Sequence, residues 1–519
     1  MPFIDLNQQE ISFTRDAFDV VIIGAGAAGI LLAVKLSERG KKVLVLESGH
    51  FTEDEHRQSL NEVEQSGKLL ETAIWGRKRA IGGTTIAWGG QSLPFSNLDF
   101  CERPWIVNSG WPLKLADLAD YYPLANRFMK IDELDYDKDI LTLLHFDKPG
   151  FDPEKIWYHF AKWAPEPDFR KLYGDDLSRN VTLVYNAVLT RVDIDGSGRA
   201  DGITISNYND RQYKIPVQQL IIAAGGIETN RILLSNNHQS PAGLGGGSGW
   251  LGKCFMEHPC TELGIVTTDN PYRLQYYFNT HIARQRRYSI RLSLTEKYQR
   301  DFKSLNASAS IMFDYSDQEF DPYLEIKNFV RTRKFSGSKE IFTNTKAYAL
   351  SAKAYLAHKF FYKHKARARL VTMGEQEPLR ESFIGLSDRK DRFGTNLARV
   401  NWQLTKKSWD TAVGLAGMLK EELSRLSLGE LTTHAKITGG NEDWESCLTD
   451  VNHHMGGTRM SESPVEGVVN KNLQVWGHDN LYVCSTSIYP TSSHSNPTLT
   501  LLALSLRLVD FLTLPHPEI

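Results

Sequence analysis

The stretch that decides the fold is FDVVIIGAGAAGILLAVKLSERGKKVLVLE, residues 18–47. It opens with an apolar run typical of a buried strand, passes through three glycines in GxGxxG spacing, and continues as an apolar-periodic helix. The three glycines serve different physical purposes, since Gly24 makes the tight turn, Gly26 lets the backbone approach a pyrophosphate, and Gly29 lets the helix pack on the strand. The stretch therefore predicts a strand, a helix and a second strand that bind a dinucleotide.

The second strand of this unit ends at Glu47, about twenty residues beyond the glycines, as in a Rossmann fingerprint. An acidic side chain at this place accepts hydrogen bonds from an adenosine ribose, and it would repel a 2′-phosphate. The helix N-terminus beside the glycines carries partial positive charge and free N–H groups, which suit a phosphate. We therefore predict a Rossmann-type unit for a dinucleotide without a 2′-phosphate.

Length and charge set the class of protein. A chain of 519 residues exceeds what one core usually serves, so two domains are expected. The net charge of −2 and the pI near 6.7 give no basic field for nucleic acid or an anionic membrane, and favour a small, neutral or weakly polar substrate. The five cysteines lack CxxC spacing, so we expect neither a disulfide framework nor a metal site.

Neither end of the sequence predicts a membrane segment. The first eighteen residues, MPFIDLNQQEISFTRDAF, lack an apolar run behind basic residues, so we expect the chain to stay in the cytoplasm unless a partner exports it. The apolar stretch 499–514 is interrupted by Ser505, Arg507 and Asp510 and is shorter than the ~20 residues that a bilayer needs. It predicts a buried helix.

Two further glycine-rich stretches accompany the dinucleotide unit. RAIGGTTIAWGG, Arg79–Gly90, is too irregular for a helix or strand; it suits close contact with a flat ring or a phosphate, but a purely structural turn is an equal alternative. QLIIAAGGIETNRILL, residues 219–234, repeats the pattern of a buried strand, a glycine pair and a helix. We assign both stretches to the first domain.

The character of the chain changes after about Thr261, where glycine becomes rarer and charged and aromatic residues increase. The basic segment 339–370 predicts a helix, whose positive charges we interpret as a solvated face. We predict an α/β protein in which residues 1–260 and 448–519 form the nucleotide-binding domain. Residues 261–447 form an inserted α+β domain that makes one wall of the active site.

The motifs GAGAAG, RAIGGTTIAWGG, AAGGIETNRILL, GKCFMEHP, HHMGGTRM and NPTLT occur here in the order in which they occur in glucose–methanol–choline oxidoreductases. The chain resembles the bacterial branch of this family that contains sugar and polyol dehydrogenases, with some likeness to pyranose oxidases in NPTLT. The resemblance implies FAD, a fold like that of para-hydroxybenzoate hydroxylase, and oxidation of an alcohol to a carbonyl. Pyranose oxidases with covalent flavin carry a histidine in the glycine-rich loop, whereas residues 84–88 contain none, so we expect noncovalent FAD.

The dinucleotide pattern and the resemblance together give a set of predicted contact residues. For FAD these are Gly24, Gly26, Ala27, Ala28, Gly29, Glu47, Ser48, Arg79, Gly82, Gly83, Thr84, Thr85, Trp88, Gly89, Gly90, Val188, Ala224, Gly225, Asn496, Pro497 and Thr498. For the substrate they are Gln91, His453, His454 and Asn496.

The C-terminal motifs supply the proton-transfer groups. Loss of hydride from an alcohol carbon requires removal of the hydroxyl proton, for which a histidine is suited. In the family motif the catalytic histidine stands three residues before the glycine of a Gly–Thr pair. This spacing selects His454, since Gly457 and Thr458 follow it. For His453 we expect a structural role, as a histidine held by backbone in a turn. Asn496 before Pro497 is typical of a helix cap, and it is also placed to bind the substrate oxygen.

Other histidines and serines are weaker candidates. His494 competes with the pair just named, and His258 of MEHP is given a structural role. Ser485 stands where several relatives carry an acid near the flavin diphosphate, so that contact is open.

The sequence thus predicts oxidation of a secondary ring hydroxyl of a sugar or glycoside, with His454 as base, Asn496 as orienter and flavin N5 as hydride acceptor. Dioxygen and a quinone or dye-like compound remain alternative electron acceptors, and a homo-oligomer or a small accessory subunit stays open. Three alternatives remain: an aliphatic or sterol alcohol as substrate, a lyase that keeps FAD without net redox, and a flavin-binding subunit with a structural role.

Overall fold

The GxGxxG turn follows one strand of a parallel sheet of six strands. The structure is a computed structural model that describes residues 3–314, 345–438 and 442–514. The strands of this sheet are β1 (Ile4–Asp5), β2 (Val20–Ile23), β3 (Val43–Glu47), β7 (Thr182–Tyr185), β11 (Leu220–Ile222) and β22 (Leu481–Val483). They lie in the order β1-β7-β3-β2-β11-β22, and every neighbouring pair is parallel. The C-terminal strand β22 therefore lies two positions from the strand that precedes the glycines.

This sheet forms because its strands are apolar on both faces. All residues of β2 (VVII) and β3 (VLVLE) are buried, which is typical of a parallel sheet covered on both sides. The helix after the glycines, α1 (Ala27–Glu38), contacts two helices from distant parts of the chain, α6 (Phe169–Asn180) and α13 (Thr498–Thr513). The predicted C-terminal helix is thus a buried part of this core.

Three further sheets are formed by the part of the chain that the structure describes. A three-stranded antiparallel sheet contains β8 (Val188–Ile194), β9 (Ala200–Ser206) and β10 (Gln212–Pro216). A five-stranded sheet contains β4 (Val63–Gly67), β12 (Lys253–Met256), β18 (Phe383–Lys390), β19 (Asn396–Trp402) and β21 (Met455–Gly457). An eight-stranded antiparallel sheet contains β5 (Gln91–Ser92), β6 (Ile156–Trp163), β13 (Cys260–Thr267), β14 (His281–Ala283), β15 (Arg286–Leu294), β16 (Ala307–Asp314), β17 (Arg367–Gly374) and β20 (Glu430–Thr433).

The remaining helices are mostly short. They are α2 (Glu55–Gln58), α3 (Asn97–Phe100), α4 (Tyr121–Phe128), α5 (Lys138–Leu144), α7 (Gly226–Ser235), α8 (Pro271–Phe278), α9 (Glu296–Phe302), α10 (Thr345–His358), α11 (Lys406–Arg425) and α12 (Ala435–Thr438). Among the described residues, no helix has both the length and the apolar composition that crossing a bilayer requires.

Two large hydrophobic clusters lie under these sheets. One surrounds the parallel sheet, and the other lies between the eight-stranded sheet and α11. The eight-stranded sheet takes β5 and β6 from before residue 260, and the five-stranded sheet takes strands from both sides of this point. The division at residues 260 and 447 therefore remains a prediction, since sheet pairing crosses both limits.

The basic segment 339–370 is only partly helical. Its helix α10 covers Thr345–His358, and Arg367–Leu370 already belong to strand β17. Residues 339–344 of this segment lie outside the described residues. The basic composition of the segment did not reveal where the strand begins.

Candidate active site

One cavity of about 820 Å³ runs from the glycine turn to the start of α13. Its walls come from the parallel sheet, from the RAIGGTTIAWGG loop and from the eight-stranded sheet. A cavity of this size is in the range of cofactor and ligand sites. The two ends of the chain therefore contribute to the same site.

Most of the predicted contact residues line this cavity. Those that line it are Gly24, Gly26, Ala27, Ala28, Glu47, Ser48, Arg79, Gly83, Thr84, Thr85, Trp88, Gly89, Gln91, Val188, Ala224, Gly225, His453, His454, Asn496, Pro497 and Thr498. Three predicted residues, Gly29, Gly82 and Gly90, are not among its lining residues. Each of the three packs against other parts of the protein. A Cβ added to Gly29 would lie 1.9 Å from Gly24 O, one added to Gly82 would lie 2.7 Å from Ile86 Cγ2, and one added to Gly90 would lie 3.0 Å from Ala164 Cβ.

The glycine turn has the geometry that its spacing predicts. Gly24 has a φ of +102°, which only glycine adopts at low cost. A Cβ on Gly29 would lie 1.9 Å from the carbonyl oxygen of Gly24, so a side chain there would separate the helix from the strand. A Cβ on Gly26 would meet only Gly83 Cα, at 4.0 Å, which leaves its backbone open to the cavity.

Glu47 is buried at the end of β3, where its carboxylate is held by backbone. One oxygen accepts the N–H of Ala25 at 2.8 Å, and the other accepts the N–H of Gly49 at 2.7 Å. Burial raises the pKa of Glu47, and these hydrogen bonds act in the opposite direction. The carboxylate thus fixes the turn as well as lining the cavity.

Arg79 also serves both the fold and the cavity. Its guanidinium donates to Ser48 Oγ at 3.0 Å and to Asn61 Oδ1 at 2.8 Å, and it lies 2.9 Å from the carboxylate of Glu228. Farther along the same loop, Trp88 donates from Nε1 to the carbonyl of Pro167 at 2.8 Å. Structural and cavity-facing roles therefore coexist in this loop.

The segment before α13 differs from a simple helix cap. The helix begins at Thr498 with Pro497 in the cap position, and no side chain caps it. Asn496 lies one residue earlier, and its buried Oδ1 has no hydrogen-bond partner among the described residues. The expectation that the Asn496 side chain caps the helix is wrong, because Pro497 occupies the cap position itself; Asn496 lines the cavity instead.

His453 belongs to a chain of hydrogen bonds that ends at Asn496. Nε2 of His258 lies 3.0 Å from the carbonyl oxygen of Ser492, and Nδ1 of His258 lies 2.8 Å from Nδ1 of His453. Nε2 of His453 lies 3.4 Å from Nδ2 of Asn496. From the sequence, a turn role is predicted for His453 and a structural role for His258, whereas hydrogen bonds connect both to Asn496.

His454 has a different environment. Its Nε2 lies 3.8 Å from Glu257 Oε2, and neither atom has a hydrogen-bond partner among the described residues. Glu257 Oε1 accepts the N–H of His453 at 2.8 Å, while Asp450 accepts the N–H of Thr72 at 2.9 Å. Ligand atoms of Glu257, Asp450 and His454 lie within 4.8 Å of one another.

Burial lowers the pKa of both neighbouring histidines. The pKa of His454 falls to about 3, with a smaller contribution from the Arg77 guanidinium. The pKa of His453 lies well below its ordinary value, first because of burial and then because of His258, His454 and Arg291. Both imidazoles are therefore neutral at neutral pH, as a proton acceptor must be.

Two other candidates lie near this end of the cavity. His494 is buried but is not among the lining residues. Ser485 lines the cavity, and its Oγ accepts the N–H of Ser487 at 3.3 Å. Ser485 therefore offers a hydroxyl, and no charge, to this wall of the cavity.

The eight-stranded sheet brings to the cavity residues that are not predicted from the sequence. Arg291, Trp163 and Met373 line it from β15, β6 and β17. The motif RRYSIRLSL around Arg291 shows only the alternation of a strand, and nothing in it identifies a binding residue. These positions become recognisable only when distant strands are paired.

Family profiles match both ends of the chain. Residues 378–505 match the profile described as GMC oxidoreductase, and residues 19–56 match the profile described as FAD binding domain.

Curated relatives and a solved structure are also similar. The chain is 24% identical to 2-methyl-1,2-propanediol dehydrogenase of Mycolicibacterium austroafricanum over 96% of each chain. It is 25% identical to the fructose dehydrogenase large subunit of Gluconobacter japonicus, over 63% of this chain and 53% of that one. The crystal structure of pyridoxine 4-oxidase from Mesorbium loti matches with a TM-score of 0.56 at 14% identity, over 96% of this chain and 100% of that chain.

Proposed function

Because the chain belongs to the glucose–methanol–choline family of FAD-dependent oxidoreductases that act on alcohols, we propose that it oxidises a secondary hydroxyl of a sugar or glycoside to a keto sugar. The fold class predicted from the sequence, a Rossmann-type FAD-binding domain with an α+β substrate domain, is confirmed. The observation that carries the mechanistic proposal is the contact between His453 and Asn496 at one end of the cavity.

The residues present fit FAD. Gly26 and Gly225 leave room that a Cβ would fill, since Gly26 meets only one atom at 4.0 Å and Gly225 meets none within 4 Å. The N-terminus of α1 follows Gly26 and offers N–H groups to a pyrophosphate, while Glu47 marks the adenosine end. When bound, FAD supplies the hydride acceptor at its N5. No histidine lies in residues 84–88, so we propose that denaturation releases the flavin.

The tautomers along the histidine chain make His453 the better base. The carbonyl of Ser492 can only accept, so Nε2 of His258 carries a hydrogen. Burial lowers the pKa of His258 to about 4, so this ring is neutral and its Nδ1 is an acceptor. His453 therefore donates from Nδ1 to His258, which leaves the lone pair on Nε2 of His453 directed at Asn496.

Asn496 completes the site for the reacting hydroxyl. The 3.4 Å separation between Asn496 Nδ2 and His453 Nε2 is long for a hydrogen bond. A substrate hydroxyl placed between them would donate to Nε2 and accept from Nδ2. His453 would then take the proton as the C–H bond breaks, and the amide would hold the oxygen in position.

His454 remains the competing base. The glycine spacing favours it, and it lines the same cavity. Its Nε2 lies toward the buried carboxyl of Glu257, and among the described residues no contact joins it to Asn496. We therefore propose His453 as the base and His454 as a neighbouring residue of the substrate pocket.

The sugar class is proposed from likeness to relatives. One of them is named for a sugar, fructose, and another for a diol. Gln91 faces the same cavity and is proposed as a substrate contact. We propose dioxygen or a quinone or dye-like compound as the electron acceptor, and a homo-oligomer or a complex with a small accessory subunit as the assembly.

Anaerobic mixing of the yellow holoprotein with substrate panels tests this function. Glycosides and sugars are expected to bleach the flavin band, and simple alcohols to do so poorly. Bleaching by aliphatic or sterol alcohols alone would replace the sugar by those classes. Absence of bleaching by every alcohol would favour the lyase or structural alternatives.

Two alanine variants decide between the histidines. His453→Ala should keep the yellow colour and slow bleaching roughly 10²–10⁴-fold, because the proton acceptor is lost. His454→Ala, the adjacent matched change, should slow it much less. The reverse ranking would assign the base to His454.

A further inference from the structure

Arg291 lies on β15 and lines the cavity from the eight-stranded sheet. It stands opposite His159 of β6, in the middle of the paired strands. Its Nη2 donates to Gln91 Oε1 at 2.6 Å, while the amide nitrogen of Gln91 donates to Ser289 Oγ at 3.0 Å. The amide of Gln91 is therefore fixed with its oxygen toward the guanidinium.

No carboxylate compensates this charge within the described ranges. In residues 3–314, 345–438 and 442–514, no Asp or Glu forms an ion pair with the Arg291 guanidinium, and its buried Nε has no hydrogen-bond partner. Burial lowers the pKa of Arg291 to about 10, and the Cys260 thiol acts in the opposite direction. The group still carries its positive charge at neutral pH.

Two of the other three lysine and arginine side chains that line the cavity are ion-paired within the chain. Arg79 lies 2.9 Å from Glu228, and Lys78 lies 2.7 Å from Glu53. Arg77 forms no ion pair among the described residues, and burial lowers its pKa to about 9; its Nε donates to the carbonyl of Ala73 at 2.5 Å, and the nearby Glu228 carboxylate acts against the effect of burial. Arg291 differs from Arg77 in that no carboxylate raises its pKa and its buried Nε has no partner among the described residues. A buried charge without a partner is unfavourable, so this difference indicates that a ligand supplies the anion.

Arg291 is also electrostatically close to the end of the cavity that holds His453 and Asn496, which we call the reacting end. It is one of the groups that lower the pKa of His453, after burial and the two neighbouring histidines. An anion bound by Arg291 would therefore lie in the same cavity as a hydroxyl bound by His453 and Asn496. One small molecule could present both groups.

We propose that the substrate is a carboxylated alcohol, a sugar acid or glycosiduronate, whose carboxylate binds Arg291 while its hydroxyl reacts at His453. The inference rests on the proposed function and specifies its substrate class. A single guanidinium matches the single charge of a carboxylate, whereas a phosphate would bring about two. A cationic amino sugar would be repelled.

Three methyl glycosides with the same ring test the proposal on the holoenzyme: methyl β-D-glucuronide, methyl β-D-glucoside and methyl β-D-glucosaminide. Their second-order rates of anaerobic flavin bleaching are compared, and their dissociation constants are measured by calorimetry. The glucuronide should react about 10- to 100-fold faster than the glucoside, since a hydrogen bond to a charged group contributes that much. The glucosaminide should react slowest.

Variants at Arg291 identify the cause of this preference. Arg291→Met should remove the preference for the glucuronide, and Arg291→Lys should keep part of it. The matched control is Arg287→Met on the same strand, whose guanidinium lies over the Trp163 ring at 4.9 Å and does not line the cavity. This control should leave the preference unchanged. Should the methionine variant fail to fold, the lysine variant and the wild-type ranking still decide.

The outcomes separate this inference from the proposed function. Equal bleaching by the glucuronide and the glucoside would overturn the inference and leave alcohol oxidation standing. If no glycoside bleaches the flavin, the proposed function fails, and calorimetry then decides whether the glucuronide binds in an Arg291-dependent way. An Arg291→Met variant that is slowed only in reoxidation by the acceptor would also overturn the inference.

Discussion

The two ends of the cavity differ in how their polar groups are satisfied. At the nucleotide end, Glu47 receives two backbone N–H groups, and Arg79 has partners in Ser48, Asn61 and Glu228. At the reacting end, several buried side-chain atoms have no hydrogen-bond partner among the described residues. They include Asn496 Oδ1, His454 Nε2, Arg291 Nε and His494 Nδ1, and also Glu257 Oε2 behind His454.

This difference separates a preformed cradle from a site that a ligand completes. Buried polar atoms are nearly always hydrogen-bonded, so a cluster of unpaired ones marks the place where other molecules supply the partners. The nucleotide end is stabilised by the chain alone and should tolerate little change. The reacting end should lose activity before it loses stability.

Replacing Gly29 by valine should have the largest effect. A Cβ on Gly29 would lie 1.9 Å from Gly24 O, and that carbonyl is backbone that cannot move without displacing the turn. We expect a cost of about 3 kcal/mol or more and protein without flavin. The flavin-to-protein ratio after purification and the Tm measure the effect.

The control for this change is Gly174→Ala in α6, where a Cβ meets nothing within 4 Å. It should leave flavin content unchanged and stabilise the protein by up to about 1 kcal/mol. Full flavin content and an unchanged Tm in Gly29→Val would show that the helix does not need this close approach.

The nucleotide end could be predicted from sequence because its signal is local. Gly24, Gly26, Gly29 and Glu47 lie within one strand-helix-strand unit, and steric limits on the turn leave glycine as the suitable residue. The parallel sheet followed from the buried apolar runs of β2 and β3. In this unit the spacing of the glycines corresponds to one geometry of the turn between strand and helix.

The reacting end could not be fully predicted because its contacts join residues far apart in sequence. His258 and His453 are 195 residues apart, and Arg291 and Gln91 are 200 apart. Spacing to the Gly–Gly–Thr segment favoured His454, but adjacent side chains leave the backbone in different directions and only one contacts Asn496. Such a choice depends on tertiary packing, which spacing does not encode.

The hydrogen bond from His453 to His258 gives the next largest prediction. His258→Phe removes the acceptor for Nδ1 of His453, so its tautomer and ring orientation are no longer fixed. We expect the limiting rate of anaerobic bleaching to fall about 10- to 100-fold, as for other partners that orient a functional histidine. The rate constant should fall without a similar change in the apparent substrate affinity.

The variant His258→Gln separates positioning from simple packing. Its amide oxygen can accept from His453, so it should recover part of the rate and move the pH profile back toward that of the wild type. If phenylalanine and glutamine variants have equal rates and equal pH profiles, His258 contributes only packing.

The last prediction concerns the unpaired carboxyl of Glu257. Burial raises its pKa to about 8, whereas an unfolded glutamate ionises near about 4.3. Between these values the folded protein binds one proton more than the unfolded chain. The stabilisation from this group is therefore complete below about pH 4 and is lost as the pH rises toward 8, by about 1.4 kcal/mol per pH unit.

Glu257→Gln should remove this slope from the free energy of unfolding measured in urea at pH 5, 6 and 7. The control Glu421→Gln, an exposed change on α11, should leave the slope in place. Because other groups titrate equally in both proteins, the difference between wild type and Glu257→Gln isolates the carboxyl. An identical slope in the two would mean that Glu257 is ionised in the folded protein, and that its burial beside His454 is compensated by the chain itself.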